Sequence, residues 1–221
     1  MHIPDGYLSP STYITSYIIT APLFTYGLKR AKRTLSEESL PVLSAVTALA
    51  FLVMMLNIPI PGGTSGHAIG TAVIAILFGP WMGFLSMTLV LIIQALVFGD
   101  GGVTALAINA FAMGFVAAFT GYYFYHLMKR VVREKIALFI SGWVSIVCSA
   151  IVLAIILGIQ PLIATNSAGN PLYFPFGLNI TIPAVVGSHV LYFGIAEGIY
   201  TLIIIKFLKK HKVISELISS S

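Results

Sequence analysis

Apolar residues run through this chain in long unbroken stretches, not in the alternation of a half-buried strand. The runs are Tyr13–Leu28, Pro41–Leu56, His67–Gly79, Trp81–Phe98, Thr104–Met128, Ile136–Gln160 and Ile182–Phe207. A straight helical crossing of a bilayer takes ~20 apolar residues. Pro41–Leu56 and His67–Gly79 fall short of that, and the others suit it or come close. A short span reads as a half-helix that lines a cavity or is embedded among other helices. The expected fold is all-α, a polytopic membrane protein of about seven transmembrane helices. One unit covers 1–221, with a bundle over 13–212 between an N-terminal segment, 1–12, and a tail, 213–221.

Composition narrows the class. Of 221 residues, 58% are hydrophobic and 9% charged. A soluble domain carries ~25% charged residues, so a cytosolic enzyme and a disordered chain are excluded. The single cysteine, Cys148, excludes a disulfide scaffold. The net charge of +5 resolves into three clusters: Lys29, Arg30, Lys32, Arg33; Lys129, Arg130, Arg133, Lys135; and Lys206, Lys209, Lys210, Lys212. Basic residues that flank spans stay cytoplasmic. One span precedes the first cluster and an even number separates each pair, so all three share the inner side. That count is unchanged if 67–98 is a re-entrant hairpin. The N-terminus is then outside and the C-terminus cytoplasmic. The outer loops Asn57–Gly66, Gly99–Val103 and Pro161–Thr181 carry no Lys or Arg, whereas Asp5 and Asp100 lie on that side. Basic residues at membrane exits lack the folded context of a nucleic-acid reader, so no nucleic acid is expected. The start lacks the basic n-region of a signal peptide, and the chain is expected to begin at Met1. Asn57–Gly66 reads as a turn-rich linker. Small residues four apart, Ala68/Ala72 and Gly114/Ala118, suit close helix packing.

Among the histidines, His126 and His211 fall at inner, basic ends and read as interfacial. His189 and Glu197 lie eight residues apart in the last span; they suit a structural lock between helices as well as a transport role. His2 and His67 both fall on the outer side. The Met1 α-amine, the His2 amide nitrogen and His2 Nδ1 can close fused chelate rings around one metal, and a His67 imidazole could be the fourth planar donor. Planar nitrogen coordination suits Ni(II) or Cu(II), is poor for Zn(II), and fits Mg(II) and Ca(II) badly. Co(II) enters such a site less comfortably. Many chains have histidine at position 2 by chance, so chemistry alone leaves the bland reading open.

The start Met1-His2-Ile3-Pro4-Asp5-Gly6-Tyr7-Leu8 resembles the signature of substrate-binding membrane subunits of nickel/cobalt transporters of the energy-coupling factor type. Pro59–His67 is similar to that family's Gly-rich loop ending in a histidine. Gly99–Ala112, with Asp100, Gly101, Gly102 and Asn109, and Ser188–Gly198, with its His and Glu-Gly, are similar to further family segments. The resemblance covers nearly the whole chain. It implies capture of Ni(II) or Co(II) from outside, as transported substrate and not as a catalytic cofactor, with Met1, His2 and His67 as ligands and 1–12 as the capturing segment. It also implies a prokaryotic cell membrane and partners: a membrane coupling subunit, two ABC-type ATPases and a small accessory membrane subunit. This chain has no G-x-x-x-x-G-K-[ST] loop, so it is expected not to be an enzyme and to draw its energy from those partners. Pro4-Asp5 is more similar to nickel-type than to cobalt-type starts. Ser65, Asn109, Asp5 and Asp100 are candidates for orienting the ligands.

The alternatives are a cobalt-specific subunit feeding cobalamin synthesis, an ion-coupled secondary carrier, an intramembrane metal hydrolase and a vitamin-binding subunit of the same transporter type. The carrier would need an inverted repeat and the hydrolase a H-E-x-x-H helix; neither is found. The vitamin binder would lack the N-terminal chelate.

Overall fold

The computed structural model describes residues 1–34, 36–60, 64–211 and 213, without the side chains of 32–34. The side chains of Lys32 and Arg33, the loop residues Gly62 and Gly63, Lys212 and most of the tail 213–221 lie outside the described residues. Within them run seven helical stretches: α1 Pro10–Thr34, α2 Leu40–Met54, α3 Thr71–Phe78, and α4 Pro80–Phe98, α5 Leu106–Met128, α6 Glu134–Ile163 and α7 Leu178–Lys210. The linker expected over 57–66 instead holds a small antiparallel pair, β1 Ile58–Ile60 and β2 Thr64–Gly66, in register Ile58↔Gly66 and Ile60↔Thr64. Apart from that hairpin, and an isolated bridge between Thr165 and Pro171, the described residues form no β-structure.

By length and composition, α4, α5, α6 and α7 can cross a membrane. Helix α1 has 25 residues but is diluted by Ser, Thr and Tyr, and it is not among them. Helix α3 has eight residues, about 12 Å at 1.5 Å per residue, against an apolar layer ~30 Å thick. Its limits are set by glycine: Gly70 precedes it at φ 72° and Gly79 follows at φ 89°, a conformation costly for residues with a Cβ. Pro80 then opens α4, where its missing N–H is no loss. Thr71, Ala72, Val73, Ile74 and Ala75 are fully buried, so α3 is embedded among other helices.

Small residues set the helix contacts. A Cβ on Gly142 of α6 would lie 2.8 Å from the Glu197 carbonyl, and one on Gly198 of α7 would lie 2.7 Å from the Phe139 carbonyl. Backbones therefore touch where side chains are absent. Ala72 likewise faces Gly121, and Ala118 faces Gly83. The outer surface is apolar: Leu191, Tyr192, Ile195, Ile199 and Ile203 of α7 are all exposed, the inverse of a soluble helix.

The N-terminal segment covers one end of the bundle. Ser9 N–H donates to Gln160 Oε1 of α6 at 2.9 Å, and Phe174 N–H donates to the Tyr7 carbonyl at 3.3 Å. At the other end, Lys209 of α7 pairs with Glu134 of α6, which also accepts from the Tyr125 hydroxyl of α5 at 3.0 Å. The second and third basic clusters thus meet at the end away from Met1. Helix α1 starts beside Met1 and runs about 37 Å toward that same end.

Candidate metal centre

Residues 1–3 are buried as a plug. Met1 is 1%, His2 4% and Ile3 0% exposed. Their position is imposed by backbone bonds. The Asn109 side chain accepts from Ile3 N–H and donates to the Ile3 carbonyl, both at 3.1 Å. Gly102 N–H donates to the same carbonyl at 2.9 Å. A Cβ on Gly102 would lie 2.4 Å from the Asp5 nitrogen, so glycine is required for this approach. Asp5 accepts from Thr104 N–H at 2.8 Å, Val103 N–H at 3.0 Å and the Thr104 hydroxyl. The Thr104 hydroxyl, helped by those two N–H groups, holds the Asp5 carboxyl below its usual range.

The β1–β2 hairpin brings the second half. The Met1 amine donates to the Ser65 carbonyl and lies 3.3 Å from Ser65 Oγ. Gly66 packs so tightly that a Cβ would land 1.9 Å from a Phe193 ring carbon. His67 follows, fully buried at 1% exposure. Its Nδ1 faces the Ala68 carbonyl at 3.0 Å. A carbonyl only accepts, so Nδ1 carries the proton and Nε2 keeps a free lone pair. That Nε2 lies 3.0 Å from the Met1 amine. Neighbouring corners of a square plane with ~2 Å metal–nitrogen bonds lie about 2.8 Å apart, so this spacing suits two adjacent ligands.

His2 completes the group. Its ring stacks on His67 with centroids 4.7 Å apart and planes at 24°. Its Nε2 lies 3.1 Å from Gln94 Oε1. Its Nδ1 is 3.2 Å from Asp100 Oδ1, yet it lacks hydrogen-bond alignment and is a buried, unpartnered nitrogen. Such atoms are rare in folded proteins and call for a partner. Burial lowers the His2 pKa, and burial drives the Met1 amine down from 8.0 to about 4. His2 beside it holds the Asp100 carboxyl below its usual range. The pocket therefore favours neutral nitrogen donors next to one carboxylate. Among the described residues no three His, Cys, Asp or Glu side chains form a metal cage; the donors that gather are two imidazoles and the chain's own amine.

The expected site residues Met1, His2 and His67 thus come together. Of the expected supports, Ser65, Asn109 and Asp100 contact them or their backbone, and Asp5 anchors the loop behind them. His189 and Glu197 do not bond to each other. Glu197 accepts from Ile69 N–H at 2.7 Å and Gly70 N–H at 3.0 Å, gripping the turn after His67. His189 donates through Nδ1 to the Val185 carbonyl at 2.7 Å, and its Nε2 is unpartnered. His126 bonds the Tyr122 carbonyl and His211 lies on Phe207, both at the far end. Sequence reasoning missed Gln94, Gln160 and Thr64, whose hydroxyl reaches the His2 carbonyl at 3.4 Å. For Gln94 a signal existed: it is a lone amide in an otherwise apolar run.

The family model described as "Cobalt uptake substrate-specific transmembrane region" matches residues 2–213. A probable fused nickel transport protein of Lactiplantibacillus plantarum is 44% identical over 212 residues, 95% of this chain and 65% of that protein. The chain therefore spans somewhat less than two thirds of that fused relative. A putative metal transport protein of Methanocaldococcus jannaschii is 42% identical over 211 residues, 95% of this chain and 92% of its own. A crystal structure of a truncated transition metal transporter superposes with a TM-score of 0.93 at 43% identity, covering 96% of this chain and 99% of that one.

Proposed function

The chain belongs to the cobalt uptake substrate-specific transmembrane family, and on that premise we propose that it captures Ni(II) at the end of the bundle that holds Met1. The ligands are the Met1 amine, the His2 amide nitrogen, His2 Nδ1 and His67 Nε2. The observation that carries this reading is the buried Met1 amine, 3.0 Å from a bare His67 Nε2 and next to an unpartnered His2 Nδ1. Four nitrogens in a plane favour Ni(II) over Zn(II). Cu(II) binds such donors more tightly still, so exclusion of copper depends on its availability and on the surrounding shell. Co(II) is the second reading, favoured by the cobalt in the family's description.

Binding replaces the ammonium and amide protons by the metal and orders residues 1–3 against the hairpin. The loaded subunit then passes its ion to an uptake machine driven by ATP. This chain has no phosphate-binding loop, so a membrane coupling subunit, two ABC-type ATPases and a small accessory subunit are the proposed partners, in a prokaryotic cell membrane. Titrating the purified protein with Ni(II), Co(II), Cu(II) and Zn(II) tests the site. A planar Ni(II) absorption band is expected, lost in His2→Ala and in His67→Ala. A band that survives both substitutions refutes these ligands.

A further inference from the structure

Gln94 lies inside α4 at the start of a π-helical turn, Gln94–Phe98, and is 0% exposed. π turns insert an extra residue, re-aim a side chain, and gather at functional sites. Here the backbone and the side chain of one residue serve the same region. The Gln94 carbonyl accepts from Gly99 N–H and, at 3.0 Å, from Asp100 N–H. The Gln94 side chain reaches across to His2 Nε2 at 3.1 Å through its oxygen, while its NH2 faces Met55 Sδ at 3.9 Å.

The chemistry of that contact is one-sided. An amide oxygen only accepts, so the ring nitrogen facing it carries the proton. A neutral imidazole has one proton, which leaves Nδ1 bare. Asp100 acts in the opposite direction, since its carboxylate lies 3.2 Å from Nδ1 and would draw the proton there. Turning the Gln94 amide around would set its oxygen against the Met55 sulfur, with no proton between them. Its orientation is thus held by a second contact.

Resting on the metal site proposed above, we propose that Gln94 is a positioning residue that keeps the His2 proton on Nε2, so that Nδ1 is free to bind the metal. It never touches the ion. Outer partners of ligating histidines are typically worth about 10- to 100-fold in metal affinity.

The test uses the full chain in detergent, with Ni(II) alone as the probe. Gln94→Met removes the acceptor at similar volume and should weaken Ni(II) binding about 10- to 100-fold. Gln94→Glu keeps an acceptor and should return affinity toward the parent value. In the metal-free protein, nitrogen-15 spectra of labelled histidine report the tautomer, which a merely structural role would leave unchanged. The parent should show His2 with Nδ1 unprotonated, and Gln94→Met should show the proton on Nδ1. A parent protein with Nδ1 protonated overturns the proposal, even if no variant folds. So does Gln94→Met binding Ni(II) as the parent does. If His2→Ala abolishes binding while Gln94→Met does not, only the Gln94 role fails. If His2→Ala binds normally, the metal site itself fails.

Discussion

One glycine added ahead of Met1 converts the α-amine into an amide and gives the pocket a residue it has no room for. Met1 is 1% exposed, and its nitrogen already faces the Ser65 carbonyl, Ser65 Oγ and His67 Nε2. Ile3 stays clamped by Asn109 and Gly102, so Met1 is the residue that must leave. Its side chain loses about 1.5–3 kcal/mol of burial. Its two bonds to Ser65 contribute about 0.5–1.5 kcal/mol each. The freed residue regains about 1–2 kcal/mol of backbone entropy. The central balance is about 3 kcal/mol, or roughly a 100-fold loss of affinity before the lost metal–amine bond is counted. The assay is a Ni(II) titration, by visible absorption and calorimetry, of a chain carrying the glycine and of the parent. Affinity should fall at least ~100-fold, and the planar band should vanish. The bundle's melting temperature should change little, because the plug lies at one end of it. If the extended chain binds Ni(II) within about threefold of the parent, a margin of ~0.65 kcal/mol, the reasoning is wrong.

The same amine sets a pH dependence. Docked, its pKa is about 4; free, it is 8.0. As pH falls from 8 toward 4, the undocked segment takes up a proton that the docked one refuses, so docking weakens across that window. The metal also displaces the amide proton, so Ni(II) affinity should fall about 100-fold per unit below pH 8; a flat titration between pH 7.5 and 6 would refute this. Gly102→Ala drives a Cβ to within 2.4 Å of the Asp5 nitrogen, an overpacking worth about 1–3 kcal/mol. It should lower Ni(II) affinity ~10- to 100-fold in the same titration while leaving the melting temperature nearly unchanged. Glu197→Ala strands the buried N–H groups of Ile69 and Gly70, at about 1–3 kcal/mol each. Melting in detergent should show a clear drop, smaller in Glu197→Gln, which keeps one acceptor; equal drops would remove the hydrogen-bond explanation.

Much of the bundle is legible in the order of residues because burial in lipid is a local demand. Each crossing helix must be apolar along its own length, so α4 to α7 stand out as runs. Helix α3 is ambiguous for the same reason in reverse. Its eight residues are too few to span, and only the surrounding helices explain why so apolar a segment is so short. The strands β1 and β2 were read as linker because Asn57, Pro59, Pro61 and the glycines signal turns, and three-residue strands have too little periodicity to oppose that signal.

The candidate ligands were legible for a chemical reason. An N-terminal Met-His contains three of the four donors within two residues, so its chelating capacity needs no fold. The sequence by itself determined the membrane class, the grouping of the basic residues and the candidates Met1, His2 and His67. What only the tertiary structure decided is which groups meet them. Asn109 lies 106 residues from Ile3, Gln94 92 residues from His2, and Glu197 128 residues from the Ile69 amide it holds. Contacts at such separations depend on how helices pack and where π turns re-aim their side chains. Each is a sum of many weak terms spread over the chain, and no local pattern of residues encodes it.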